Sequence, residues 1–164
     1  MPLYDPNAEP IDSFRNKYAF LSNFYPWAGG GRRIGRNIRI LYDGRYYRSS
    51  EHAFQAAKTL DLRARAHIRH QPTPGSAKRH GQKVVLRPDW EKVKARIMYA
   101  IIFDKFTRNP MLADKLLQTR RAQLIEGNTW GDTYWGVCRG EGQNLFGKIL
   151  MSVRRRIALT FVPF

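Results

Sequence analysis

A chain of 164 residues with 43% apolar and 13% aromatic residues is long enough for one buried core and short for two, so a single domain is expected. Its 29 lysines and arginines face 13 acids for a formal charge of +16, more than solubility requires, which points to a polyanionic partner such as nucleic acid or a phosphate-rich ligand. The single cysteine, Cys138, excludes an intramolecular disulfide and argues against a thiolate metal centre, and no apolar run approaches the roughly 20 residues of a membrane span, so a soluble, cytoplasmic, unexported protein is expected, monomeric by default.

The first 12 residues, rich in proline and acids, read as an extended N-terminal arm. Lys17 to Trp27 (KYAFLSNFYPW) reads as an ordered loop, and Gly29-Gly30-Gly31-Arg32-Arg33 as a mobile basic one. Ile38, Ile40 and Tyr42 alternate as in a strand; Asp43-Gly44 is a hairpin turn, and Arg45 to Arg48 forms the return strand. The next helix starts at Ser49 or Ser50 as N-cap, with Glu51 in its first turn, Gln55 and Lys58 on the same face, and Phe54 and Ala57 on a neighbouring buried stripe.

Helices are then predicted over Leu62 to His70 behind Asp61 and over Ser76 to Gln82, separated by a break at Pro72-Thr73-Pro74-Gly75. Asp89 is the predicted N-cap of the longest helix, where Val93, Ile97 and Ile101 repeat every four residues alongside Met98, Ile102 and Phe106. Asn109-Pro110 opens a helix to about Thr119 bearing Leu112, Leu116 and Leu117, and Ala122 to Glu126 reads as a short strand. Asn128 to Gln143 is predicted as an ordered loop carrying Trp130, Asp132 and Trp135, followed by a last helix near Asn144 to Leu159 with Leu145, Ile149, Val153 and Ile157 on one face. There is no repeat and no internal linker.

Each motif has a bland reading beside the chemical one. Gly142 to Lys148 fits G-x-x-x-x-G-K, but Ile149 stands where a phosphate loop needs Ser or Thr, so the segment reads as a loop-to-helix junction capped by Asn144 whose amides can still meet an anion. His52, His67, His70 and His80 form no recognised ligand set, so no metal is expected, and Cys138 reads as inert. Glu51, Glu126 and Asp132 sit among aromatic or glycine residues and are candidates to share a pocket; singly, they read as a helix-start charge, a strand-end salt bridge and a turn residue. Arg32, Arg33, Arg36, Arg39, Arg45 and Arg48, interspersed with tyrosines, suit a phosphate backbone with bases stacked between, or equally the solvated side of a hairpin.

Five blocks in order, KYAFLSNFYP, YRSSEHAFQAAK, W-x3-K-x3-M with KF, L-x-E with D-x-x-WG, and G-x-N-x-x-G-x-x-LM-x-x-R, span nearly the whole chain. In this combination the sequence resembles the NADAR superfamily of YbiA-like N-glycosidases. The resemblance implies a compact single-domain YbiA-like fold over residues 13–164, mainly α with a small β-hairpin or sheet component, and hydrolysis of an N-glycosidic bond without cofactor or metal. Two substrate classes go with it: ADP-ribose attached to guanine, and phosphorylated ribosylamino-pyrimidine intermediates of riboflavin synthesis.

By the same resemblance Glu51, Asp132 and Lys17 are the catalytic candidates. Asn23, Phe24, Gln55, Trp90, Trp135, Gly136, Asn144 and Arg154 are the substrate-binding ones, with Arg154 and Asn144 holding the active-site loop or binding phosphate. Breaking a ribosyl C–N bond builds positive charge on C1 and the ring oxygen, which Glu51 or Asp132 can stabilise while activating water. The leaving nitrogen takes a proton from a carboxylic acid or a lysine, or Lys17 attacks an opened sugar to form a Schiff base. The basic stretch favours ADP-ribosylated guanine in nucleic acid, with Arg32, Arg33 and Arg36 on the strand and Trp27, Trp130 or Trp135 stacking on the base. A non-catalytic module that reads ADP-ribose or nucleic acid is the other class consistent with these residues.

Overall fold

Six α-helices, two short 3-10 helices and two two-stranded sheets make up the regular structure of residues 2–160, the residues that the computed structural model describes. The chain is mainly α with a small β component. Its contacts group it into two units: a central one of residues 22–109, and a terminal one drawn from residues up to 21 and from 110 onward.

In the central unit, β1 (Ile40–Tyr42) and β2 (Arg45–Tyr47) form the predicted hairpin, with Ile40 opposite Tyr47 across the Asp43-Gly44 turn. Four helices follow: α1 (Ser50–Ala57), α2 (Leu62–Arg69), α3 (Pro74–Gly81) and α4 (Trp90–Arg108). Side-chain caps start the first three, because Ser49, Asp61 and Thr73 each accept a backbone N–H of the first turn. α1 packs on α2, α3 and α4, and α4 packs on β1, so α1 is the enclosed element. Both four-residue stripes of α4 are buried, Val93, Ile97 and Ile101 on one and Met98, Ile102 and Phe106 on the other.

In the terminal unit α5 (Pro110–Gln118) packs on α6 (Leu145–Thr160), and Leu112 and Leu116 of the first and Ile149, Val153 and Ile157 of the second are buried. β3 (Gly127–Asn128) pairs in parallel with β4 (Val137–Cys138), and the N-terminal arm joins through a parallel bridge between Ile11 and Leu124.

Several local expectations are corrected. Asn16–Leu21 is a 3-10 helix, and Gly29–Gly31 is a 3-10 turn closed by the Trp27–Arg33 bridge rather than a loose loop. α3 begins two residues early, because Thr73 caps and Pro74 fills the first helical position, where its missing N–H costs nothing. Asp89 precedes α4 but makes no cap; its carboxylate accepts both Nε and Nη2 of Arg87, at 2.6 and 3.1 Å. The strand expected over Ala122 to Glu126 shrinks to the bridge at Leu124, because Asn144 takes its backbone groups instead: Oδ1 accepts from Glu126 N at 3.0 Å and Nδ2 donates to Leu124 O at 2.8 Å.

Candidate active site

All eight residues of α1 are buried, including Ser50, Glu51, His52 and Gln55. A helix enclosed on every side has no solvent for polar side chains, so four of them in one must be satisfied by the protein or by a ligand. Glu51 is 6% exposed, and Gln55, one turn on, donates from Nε2 to Glu51 Oε1 at 2.6 Å. Burial pushes the Glu51 carboxyl above its usual range, opposed by the Gln55 hydrogen bond and the charges of Lys78 and Lys58. Lys58, half-buried and 5.9 Å from the Phe54 ring, has its ammonium held below the usual lysine range by burial; Glu51 pulls the other way and Lys78 adds to the depression. Phe54 in turn meets Trp90 with ring centroids 5.1 Å apart.

The Ser22-Asn23-Phe24 turn is fastened at the start of this helix. Asn23 O accepts the Glu51 amide at 3.0 Å, Ser22 Oγ accepts the Phe24 amide at 3.1 Å, and Asn23 Nδ2 reaches Met98 Sδ at 3.6 Å. Beneath it lies Lys105 of α4, with no exposed surface, donating from Nζ to Ser22 O at 2.8 Å near the Phe106 and Tyr25 rings. Three buried polar atoms of this neighbourhood, Asn23 Oδ1, Ser50 Oγ and Gln55 Oε1, have no hydrogen-bond partner among the described residues. Each such atom costs about 1–3 kcal/mol when nothing meets it, so a cluster beside an uncommonly basic carboxylate suits a site that a polar ligand completes.

His52 is excluded from proton traffic by its own contacts. Its ring nitrogens meet Ser49 Oγ at 2.7 Å and the Gln71 carbonyl at 3.0 Å, and burial holds its pKa down to about 4, so it is neutral at ordinary pH. Trp27 is buried beside it at 5.9 Å and carries Arg33 on its ring at 5.0 Å, which removes Trp27 as a free stacking surface. Arg32, Arg33 and Arg36 are exposed and belong to the same unit as Glu51.

The remaining candidates lie in the terminal unit. Asp132 uses Oδ1 to accept the amides of Tyr134 and Trp135 at 3.1 and 2.9 Å, and Asn128 grips its backbone from both sides, which makes it the residue that shapes the loop. The half-buried Trp135 packs edge-on against Tyr134, and Gly136 sits where a Cβ would come within 2.2 Å of Glu126 O. Carbonyls of this loop accept the amides that open α6: Thr133 from Gln143, Gly136 from Asn144, Tyr134 from Leu145 and Trp135 from Phe146. Those N–H groups are therefore spent, and the anion site expected at this helix start is not formed by them. Arg154 donates internally, to Thr119 Oγ1, Ala122 O and Leu3 O, so its guanidinium clasps the terminal unit. Lys17 is exposed with its ammonium 4.8 Å over the Tyr18 ring, Trp130 is exposed, and Cys138 is buried. Glu126 and Asp132 share this unit, whereas Glu51 belongs to the other. No cluster of His, Cys, Asp and Glu suited to a metal occurs among the described residues.

Lys105, which enters the sequence motifs only in the KF pair, and Lys78 are neighbours of the site outside the set of candidate residues. Lys105 carries a signal, since it continues the four-residue repeat Val93, Ile97, Ile101 and so stands where the core calls for an apolar residue.

A family model described as the NADAR domain matches residues 11–158. A protein of Escherichia coli (strain K12) named N-glycosidase YbiA is 36% identical over 150 residues, 90% of this chain and 86% of that protein. A riboflavin biosynthesis protein of Vibrio vulnificus (strain YJ016) is 32% identical over 143 residues, 85% of this chain and 36% of that protein. Among solved structures, that of the E. coli protein YbiA, determined by NMR, is similar with a TM-score of 0.75 at 32% identity, covering 98% of this chain and 95% of that one.

Proposed function

The chain belongs to the NADAR family, and from that premise we propose that it is an N-glycoside hydrolase that removes ADP-ribose from guanine in nucleic acid, with Glu51 as its catalytic carboxylate. The observation that carries the reading is the buried Glu51–Gln55 pair with orphaned Asn23, Ser50 and Gln55 oxygens around it. An ionised Glu51, favoured by Lys58 and Lys78, faces the positive charge that develops at C1 of the ribose and takes a proton from the attacking water. Its raised proton affinity suits that second task, because a stronger base accepts the water proton more readily. Lys58, whose ammonium gives up its proton more easily than a free lysine, is the nearby group suited to protonate the leaving nitrogen. Lys17 is retained for the Schiff-base route, and undiminished turnover by Lys17→Met removes that route.

The exposed Arg32, Arg33 and Arg36 in the unit of Glu51 favour a nucleic-acid substrate over a free metabolite. The similarity to a riboflavin biosynthesis protein favours the second reading, a phosphorylated ribosylamino-pyrimidine. Mass-spectrometric detection of ADP-ribose released from a guanine-ADP-ribosylated oligonucleotide, beside the pyrimidine glycoside, decides between them. Release from the oligonucleotide, with at least about a hundredfold loss in Glu51→Gln, is the expected result. Turnover of the pyrimidine alone replaces the first reading with the second, and binding without turnover of either replaces both with a reader module.

A further inference from the structure

The terminal unit holds a cavity of about 410 Å³ whose lining includes Leu117 of α5, Arg120 and Arg121 of the turn after it, and Arg154, Arg155 and Leu159 of α6. Among the described residues no acidic one lines it. We propose that this cavity is a second binding site, for a phosphate-bearing anion with a planar or apolar portion such as a nucleoside diphosphate. Its residues lie in the terminal unit, whereas Glu51 belongs to the central one, and the inference does not depend on the glycosidase reading.

Arg154 makes this more than a basic rim. It is 4% exposed, and its acceptors are a hydroxyl and two backbone carbonyls, so a full positive charge is buried against neutral groups alone. Burial lowers its pKa to about 10, with Arg121 acting in the same direction. A buried charge without a counter-charge is costly, and the like charge of Arg121 adds to the cost, so an anion at the mouth relieves both. Guanidinium groups present paired donors that match phosphate oxygens. Leu117 and Leu159 give the cavity an apolar side that an inorganic ion alone leaves unfilled. Its volume is within the roughly 300–1,000 Å³ of small-molecule pockets.

The test is methyl NMR of the intact chain, following Leu117 and Leu159 during separate titrations with ADP, inorganic pyrophosphate and an unmodified single-stranded oligonucleotide. Saturable shifts of these methyls, weakened about tenfold or more in Arg121→Glu or, should that variant fail to fold, in Arg120→Glu, are expected. Saturation by ADP identifies a free nucleotide as the source of the phosphate; saturation by the oligonucleotide alone identifies a nucleic-acid backbone. No saturable shift with any probe, or shifts that folded charge-reversal variants leave unchanged, overturns the proposal. Because the reporters lie in the cavity, failure of the glycosidase assay leaves this result intact, and the reverse also holds.

Discussion

Burying Glu51 penalises its charged form, so the folded chain holds the Glu51 proton to a higher pH than the unfolded chain does. The sign follows: whatever stability the neutral carboxyl permits is present below the ordinary carboxyl range near 4.5 and is lost as pH rises through the raised folded value. Glu51→Gln removes that titration while keeping shape. The variant is therefore expected to gain stability over the parent progressively as pH rises above about 4.5, and to show no growing gain below it. Urea unfolding at four or five pH values reads the difference, and a gap that stays flat with pH contradicts the burial argument. Glu51 is legible in the sequence because a serine cap, a first-turn acid and a glutamine four residues on are local signals. Its environment is less so: Asn23 enters only through the family resemblance, and Lys78 reaches it only through the tertiary fold.

At the level of elements, α1 and α3 approach closely because Gly81 has no side chain. A Cβ there would lie 2.1 Å from Gln55 Oε1 and 2.7 Å from Gln55 Cβ, so the amide that holds Glu51 rests against bare backbone. Gly81→Ala is expected to cost about 1–3 kcal/mol by overpacking, and to lower turnover well below wild type even at temperatures where the variant stays folded, because Gln55 must turn away from Glu51. Denaturant unfolding and steady-state kinetics on the same preparation separate the two effects; full turnover by the folded variant shows that Gln55 does not position the carboxyl. Helices are legible from a cap, as at Asp61, or from an apolar repeat, as along Val93, Ile97 and Ile101. The Thr73-Pro74 start reads as a break because a cap followed by proline resembles a turn until the helix after it is seen. The segment from Ala122 to Glu126 reads as a full strand in the sequence because a distant side chain, that of Asn144, decides where its backbone groups go.

For the whole molecule the charge of +16 is the dominant long-range property, and its exposed part includes Arg32, Arg33 and Arg36. Replacing these three by serine is expected to weaken oligonucleotide binding, and to reduce the slope of log affinity against log salt by up to about 2, at about 0.7 for each single-strand phosphate no longer neutralised. Turnover of a small N-glycoside should stay unchanged; an unaltered salt slope removes these arginines from the nucleic-acid surface. The mainly helical fold is legible from periodicity, whereas the grouping into two units is not, because the change from one to the other falls at Asn109-Pro110, which reads as an ordinary helix-to-helix turn. The loop from Thr133 to Gly136 is legible only as irregular chain, yet its carbonyls hold the amides of Gln143 through Phe146. Lifting that loop would leave the first turn of α6 without acceptors, so loop and helix start share one opening equilibrium. Backbone hydrogen exchange at Leu145 and Phe146 is thus a direct clock for a segment that has no regular structure of its own.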